Sequence, residues 1–211
     1  DMTGFGRTVK KIDPKDDFIV FINPAPWNKI YRREKIKDLR FLSFRGFNDT
    51  MFLMEAYTRI EKIAFVPDVL YHYYLRYDSQ IHTINEKDVN NLKKYLLEVK
   101  EFYKNSGKYD EMKYILDLMA FIHLGVSVMY RASYDPNIEI KKMVKETIKY
   151  LDENFGTWRK NPFLKFTYSI KKGFKHFGLW GISLLYKWNM PMVYIRIYRF
   201  FIDKLKIDIK W

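Results

Sequence analysis

Residues 23–41 read NPAPWNKIYRREKIKDLRF, residues 44–57 read FRGFNDTMFLMEAY and residues 62–83 read KIAFVPDVLYHYYLRYDSQIHT. Three features stand close together here. Pro26-Trp27-Asn28-Lys29 precedes the basic segment Tyr31-Arg32-Arg33, Asn48-Asp49 sets an acid at the start of an apolar run, and a strand-like run over residues 70–75 ends in Arg76, Asp78, Ser79 and His82. Pro24 and Pro26 forbid regular structure and bias Asn23 and Ala25 toward extended backbone. Such a segment would hold Trp27 and Asn28 in a fixed place. Residues 32–39 predict a short helix with Ile36 and Leu39 on one face. Asn48 suits an N-cap, and Phe52, Leu53, Ala56, Tyr57 and Ile60 follow with the period of a buried helix face. Residues 62–66 and 69–74 are strand candidates joined by Pro67-Asp68.

Outward from this stretch the pattern divides. On the N-terminal side, Thr3-Gly4-Phe5-Gly6 and residues 12–17 read as turns, and Phe18-Ile19-Val20-Phe21-Ile22 reads as a short strand. On the C-terminal side the pattern becomes helical. Asn85 and Asp88 resemble a capping box, and Val89, Leu92, Leu96, Val99 and Tyr103 follow at helical spacing until Ser106-Gly107. Residues 109–130 predict a central helix, apolar nearly all round in its second half. Asp135-Pro136 reads as the cap and first residue of a third helix, whose face is Ile140, Met143, Val144, Ile148 and Leu151 and which stops at residues 154–156. Asn161-Pro162 opens a tail that Gly173, Gly178, Gly181 and Pro191 are expected to break into short pieces. The expected class is α+β, mostly α, with short strands and helices ahead of a helical C-terminal region.

Composition narrows the function classes. A chain of 211 residues with 48% hydrophobic content can bury a core, so disorder is excluded. There is no Cys, which excludes disulfides and thiolate zinc sites and fits a reducing compartment. The chain starts at Asp1 with no signal-peptide pattern, as expected of a processed chain or a fragment. The longest charge-free apolar run, residues 118–130, has 13 residues, short of the roughly 18–20 that a spanning helix needs. Net charge is +13 and uneven: residues 157–211 hold 12 Lys or Arg and 14 aromatics against two acids, Asp203 and Asp208. A basic, aromatic tail suits an anionic membrane surface or a nucleic acid, and equally a solvated helical face. No phosphate-binding Gly loop, HExxH, Ser/His/Asp order or Cys/His metal spacing occurs.

The three motifs, in this order and spacing, resemble the second half of the catalytic domain of family 2 glycosyltransferases, inverting enzymes of the GT-A fold common in bacterial surface-polysaccharide pathways. The resemblance covers about residues 23–83 and rests on the PWNK segment, on Gly46-Phe47-Asn48-Asp49 and on the KIAF strand followed by the LYHYYLRYDS run. The family usually has Glu-Asp where this chain has Asn48-Asp49. It implies an incomplete GT-A-like α/β portion, residues 1–84, forming the acceptor side of the catalytic domain. Residues 85–156 would then be a helical domain and residues 157–211 a basic, aromatic helical tail facing a membrane. It also implies a nucleotide-sugar donor, a glycan or lipid-linked acceptor, and Mg²⁺ or Mn²⁺ held by a D-x-D motif. This chain contains no D-x-D. It is therefore expected to be the C-terminal part of a longer enzyme, inactive alone, cytoplasmic and peripheral at the inner membrane, with anionic lipid met through residues 157–211 and no nucleic acid bound.

Each residue has a second reading. Asp49 is the catalytic base by resemblance, because sugar transfer needs a base to take the acceptor's proton; on its own it is an ordinary first-turn acid, favoured there by the helix dipole. Asn48 either caps the helix or contacts an acceptor hydroxyl. Trp27, Asn28 and Lys29 fall where the family closes over donor sugar and acceptor; a Trp face can stack on a sugar while Asn and Lys donate, or Trp27 is a core residue. Arg32 and Arg33 could meet phosphate or simply be solvated. Arg76 and Ser79 are implied diphosphate contacts, and His82 or His72 an implied metal ligand. His123 reads as a core histidine and His176 belongs to the tail. Two rival functions remain: a non-catalytic basic helical module that binds nucleic acid or another polyanion, and a degenerate transferase half acting as a scaffold.

Overall fold

A computed structural model of the chain describes residues 8–41, 47–72, 74 and 84–206. It is mostly helical, with one two-stranded sheet among the described residues. Two compact units emerge: Asp1–Ile81 with Lys94–Met112, and His82–Lys93 with Lys113–Trp211.

In the first unit, strand β1 (Thr8–Lys11) pairs antiparallel with β2 (Lys62–Phe65), in the register Thr8↔Phe65 to Lys11↔Lys62. The KIAF strand is where the sequence puts it. Its partner, TVKK, gives no strand signal, because four residues with two lysines carry almost no alternation. The second expected strand, residues 69–74, is not formed among its described residues. Val69, Leu70 and Tyr71 are exposed instead.

Residues 18–22 also differ from expectation. Asp17–Phe21 is a 3-10 helix, opened by Asp16, whose carboxylate accepts the Phe18 N–H at 3.3 Å. Phe18, Ile19 and Val20 are all buried. A continuous apolar run buried on every side fits a helical turn as well as a strand, and only the Asp16 cap separates the two. Helix α1 is a single turn, Arg33–Ile36. Helix α2 (Asn48–Ala56) is buried nearly all round. Its Phe52 and Ala56 pack with Leu39, Tyr31, Ile36 and Phe102. Two buried tyrosines lock it: the Tyr57 hydroxyl donates to the Ile19 carbonyl at 3.0 Å, and the Tyr103 hydroxyl donates to the Met54 carbonyl at 2.8 Å.

Helix α3 (Glu86–Asn105) starts on the expected box. The Asp88 N–H donates to Asn85 Oδ1 at 2.9 Å and the Asn85 N–H to Asp88 Oδ2 at 3.1 Å. It ends at Gly107, whose φ of 69° is a left-handed turn that glycine adopts without steric cost.

The second unit is built on one long helix. Helix α4 (Tyr109–Ala120) runs through a π-helical stretch (Phe121–Val128) into α5 (Met129–Ala132). Over Tyr109–Ala132, 24 residues, it is long and apolar enough to cross a membrane, yet 83% of its most apolar window is buried within the fold. Its loosened π turns leave backbone carbonyls in need of donors. Two arrive from the C-terminal helices: the Tyr186 hydroxyl donates to the Gly125 carbonyl, and the Tyr194 hydroxyl to the Val126 carbonyl at 3.3 Å. Gly125 leaves room for the Phe121 ring, from which a Cβ would lie only 3.2 Å away.

Helix α6 (Ile140–Asn154) begins later than Asp135-Pro136 suggests. The Asp135 carboxylate is taken up by the Asn137 N–H at 2.9 Å in a local turn, so it does not cap the helix. A buried Trp158 follows, stacked on Phe121 at 5.0 Å and edge-on to Tyr186. Helices α7 (Phe166–Lys172), α8 (Phe174–Lys187) and α9 (Pro191–Leu205) complete the unit. Gly173 and Pro191 do mark breaks, as expected. Gly178 and Gly181 do not; both lie inside α8. An isolated glycine costs a helix only about 1 kcal/mol, which packing on one face readily overcomes.

Candidate functional site

Of the residues singled out in the sequence, Asn28 and Asp49 come together with Lys29 in the first unit. Pro26–Asn28 forms a 3-10 turn with proline at its first position, where its fixed φ suits the turn and no N–H is lost. The Asn23 side chain accepts the Ala25 N–H at 2.8 Å. Lys29 then closes the loop on itself. Its ammonium donates to the Asn23 carbonyl, to the Ala25 carbonyl at 2.9 Å and to Asn28 Oδ1 at 2.7 Å. An ammonium has three donors, so all of them serve the loop. Lys29 works here as the knot that shapes the PWN turn.

Burial lowers the pKa of Lys29 to about 8, while the negative charge of Asp49 pulls the other way. The two motifs therefore meet electrostatically, although they lie 20 positions apart in the sequence. Asp49 occupies the first turn of α2 and is half-buried. Its Oδ1 accepts the Thr50 N–H at 2.8 Å and faces Thr50 Oγ1 at 3.5 Å. Its Oδ2 has no hydrogen-bond partner among the described residues. Asn48 is the first helical residue and does not sit at the cap. The cap position is Phe47, which has no side-chain bond to the helix and a φ of 59°. A non-glycine residue held left-handed costs about 1–2 kcal/mol, and such strain gathers at sites whose surroundings fix it.

Trp27 is half-buried and stacks on Tyr71 at 4.8 Å with 23° between the rings. The sequence reading missed Tyr71. The only signal for it was the aromatic run around it, which reads as a strand. Asn28 is exposed, as are Arg32, Arg33 and His72. Arg76, Ser79 and His82 lie outside the described residues.

Two open hollows in the same unit, of about 480 and 430 Å³, are lined by residues such as Lys10, Asp13 and Glu111, and Leu97 and Phe102, respectively. Asp49 and Trp27 line neither. No protein-family model, curated protein or solved structure matches this chain. No group of three metal-ligating side chains occurs among the described residues. His123, on the π stretch, has its pKa lowered to about 4 by burial and then by Arg131, so it is neutral at pH 7.

The Lys29–Asp49 coupling has a direct test. Removing the carboxylate charge by Asp49→Asn removes an electrostatic influence that favours the ammonium. The Lys29 midpoint should then fall below 8, read from the side-chain carbon shifts by NMR; an unchanged midpoint would mean the two groups do not sense each other. The effect on stability has a definite sign. With the folded pKa near 8 and the unfolded value near 10.5, the unfolded state holds more protons between these pH values. The Lys29 contribution to stability therefore increases as pH rises through that window.

Proposed function

We propose that this chain supplies the acceptor side of an inverting glycosyltransferase that moves a sugar from a nucleotide-sugar donor to a glycan or lipid-linked acceptor. The observation that carries this reading is the Asp49 carboxylate, which has one oxygen tied to the start of α2 and the other without a partner among the described residues. It lies within electrostatic reach of Lys29, whose loop also carries Trp27 stacked on Tyr71.

In this reading Oδ2 of Asp49 accepts the proton of the acceptor hydroxyl as that oxygen attacks the anomeric carbon. The bond from carbon to the diphosphate oxygen breaks, and the nucleoside diphosphate leaves with the electron pair. Attack opposite the leaving group inverts the configuration. The Trp27 and Tyr71 rings would carry a sugar on an aromatic face. The Lys29 knot would hold Trp27 and Asn28 in register, and its positive charge would sit beside the carboxylate that works. Asn48, in place of a second carboxylate, offers a neutral donor and acceptor to the incoming hydroxyl. The divalent cation of related chemistry finds no ligand set among the described residues, and no step here runs through one. Its ligands, like the nucleotide's, would belong to a donor-binding portion outside this chain, and Arg76 and Ser79 would complete the diphosphate side. Such an enzyme would work in the cytoplasm.

The test is nucleoside diphosphate release by the complete gene product, purified from its source and offered a panel of nucleotide-sugars with glycan acceptors. Donor-dependent release is expected. Trp27→Ala should then raise the acceptor KM by tenfold or more while leaving the donor KM within a factor of two. Absence of release across the panel would overturn the proposal.

A further inference from the structure

The C-terminal helices carry apolar side chains on the side where a helix should be polar. Along α8, Leu179, Ile182, Ser183 and Tyr186 are buried. On the opposite stripe lie Phe174, Phe177, Leu184 and, one residue beyond the helix, Trp188. Phe174 is 78% exposed and Trp188 64% exposed. At 100° per residue this second stripe occupies roughly a quarter of the helix circumference. The corner at Gly173, whose φ of 102° favours glycine, brings α7 against α8. Phe166 thereby meets Phe177 at 6.4 Å and Trp180 at 5.1 Å, and Phe177 meets Trp180 at 5.3 Å. Ile170, 58% exposed, adds an aliphatic side chain to the same short helix. An aromatic cluster of this kind left in water is costly for a surface helix and calls for an occupant.

The charge around it identifies that occupant. Between Glu153 and Asp203 the chain has no Asp or Glu and nine Lys or Arg. Lys165, Lys171, Lys172 and Lys175 flank the cluster and are exposed. We propose that the α7–α8 corner docks onto an anionic lipid bilayer, with Phe174, Phe177 and Trp188 at the boundary between headgroups and acyl chains and the lysines on the headgroup phosphates. Aromatic side chains partition to that depth, long lysine stems reach back from it, and basic residues are drawn to an anionic surface. A nucleic acid fits less well. Its bases need open ring faces to stack on in succession, whereas Phe166, Phe177 and Trp180 pack on one another, and the open rings of Phe174 and Trp188 stand at opposite ends of α8. The proposal is independent of any role for Asp49.

The test is co-sedimentation of the 211-residue chain with vesicles of phosphatidylcholine alone or with phosphatidylglycerol at about two parts in five. Binding to the anionic vesicles only, weakened severalfold by raising salt from 0.1 to 0.5 M, is expected. Phe174→Ser with Phe177→Ser should cut the bound fraction at least fivefold, as should Lys171→Glu with Lys172→Glu. All four side chains are exposed, and circular dichroism checks that the variants keep their helices. Equal binding to neutral vesicles would overturn the proposal, and so would aromatic variants that bind as well as the parent. A chain that binds single-stranded DNA but not anionic vesicles would overturn it in favour of a nucleic-acid partner.

Discussion

Asp49→Asn, made in the complete gene product, is expected to lower kcat by 10²-fold or more while leaving the donor affinity within about twofold. The substitution keeps the shape of the side chain, and the asparagine oxygen can still accept the Thr50 N–H that Oδ1 accepts now. What it removes is a site able to take up a proton. General-base catalysis by a positioned side chain contributes typically about 10²–10⁴-fold, so the loss should fall in that range and should appear in kcat. An acceptor KM that rises while kcat holds would mean that Asp49 positions the substrate without taking its proton. Full activity would make Asp49 a helix-start acid and nothing more. The same variant shifts the Lys29 midpoint downward in either case, so the NMR and kinetic readouts separate the electrostatic coupling from the chemistry.

Trp158→Ala should produce the largest loss of stability. Trp158 is wholly buried, stacks on Phe121 with 8° between the rings, meets Tyr186 edge-on, and donates from Nε1 to Asp152 at 3.0 Å. Arg159 lies over its ring at 4.6 Å and is itself held by both oxygens of Asp152. Truncating a buried Trp to Ala costs about 3–5 kcal/mol. With urea dependence of roughly 1–3 kcal/mol per molar, the unfolding midpoint should drop by more than 1 M. Trp158→Phe keeps the stack, loses the bond to Asp152, and should cost less than half as much. A midpoint unchanged by the alanine variant would mean that the ring cluster does not hold this unit together.

The helices were legible where one face alone sets the pattern. Val89, Leu92, Leu96, Val99 and Tyr103 recur at helical spacing as one stripe, and all five are essentially inaccessible. The Asn85–Asp88 box was legible because both bonds are local. Two other features were not legible, for different reasons. β1 exists only because β2, more than 50 residues away, pairs with it, so no window around TVKK reveals it. Residues 18–22 are buried on every side, which removes the alternation that tells strand from helix. The same division holds at the candidate site. The PWNK turn, written in prolines, was visible. The use of all three Lys29 donors by the loop was not, because it depends on where the chain folds back. The pairing of Trp27 with Tyr71 is likewise a tertiary fact.

The π-helical stretch has a consequence for how the protein is made. The carbonyls of Gly125 and Val126 receive their hydroxyl donors from Tyr186 and Tyr194, 61 and 68 positions further along the chain. A ribosome adding about 5–20 residues per second needs several seconds to cover that distance. Through that interval this long apolar helix stands without the groups that complete it. A message truncated before the codon for Tyr186 would yield a polypeptide that cannot finish this unit at all. Such products are natural clients for chaperones and proteases. Point substitutions in α7, α8 and α9 should leave the protein's abundance largely intact, whereas stop codons there should deplete it.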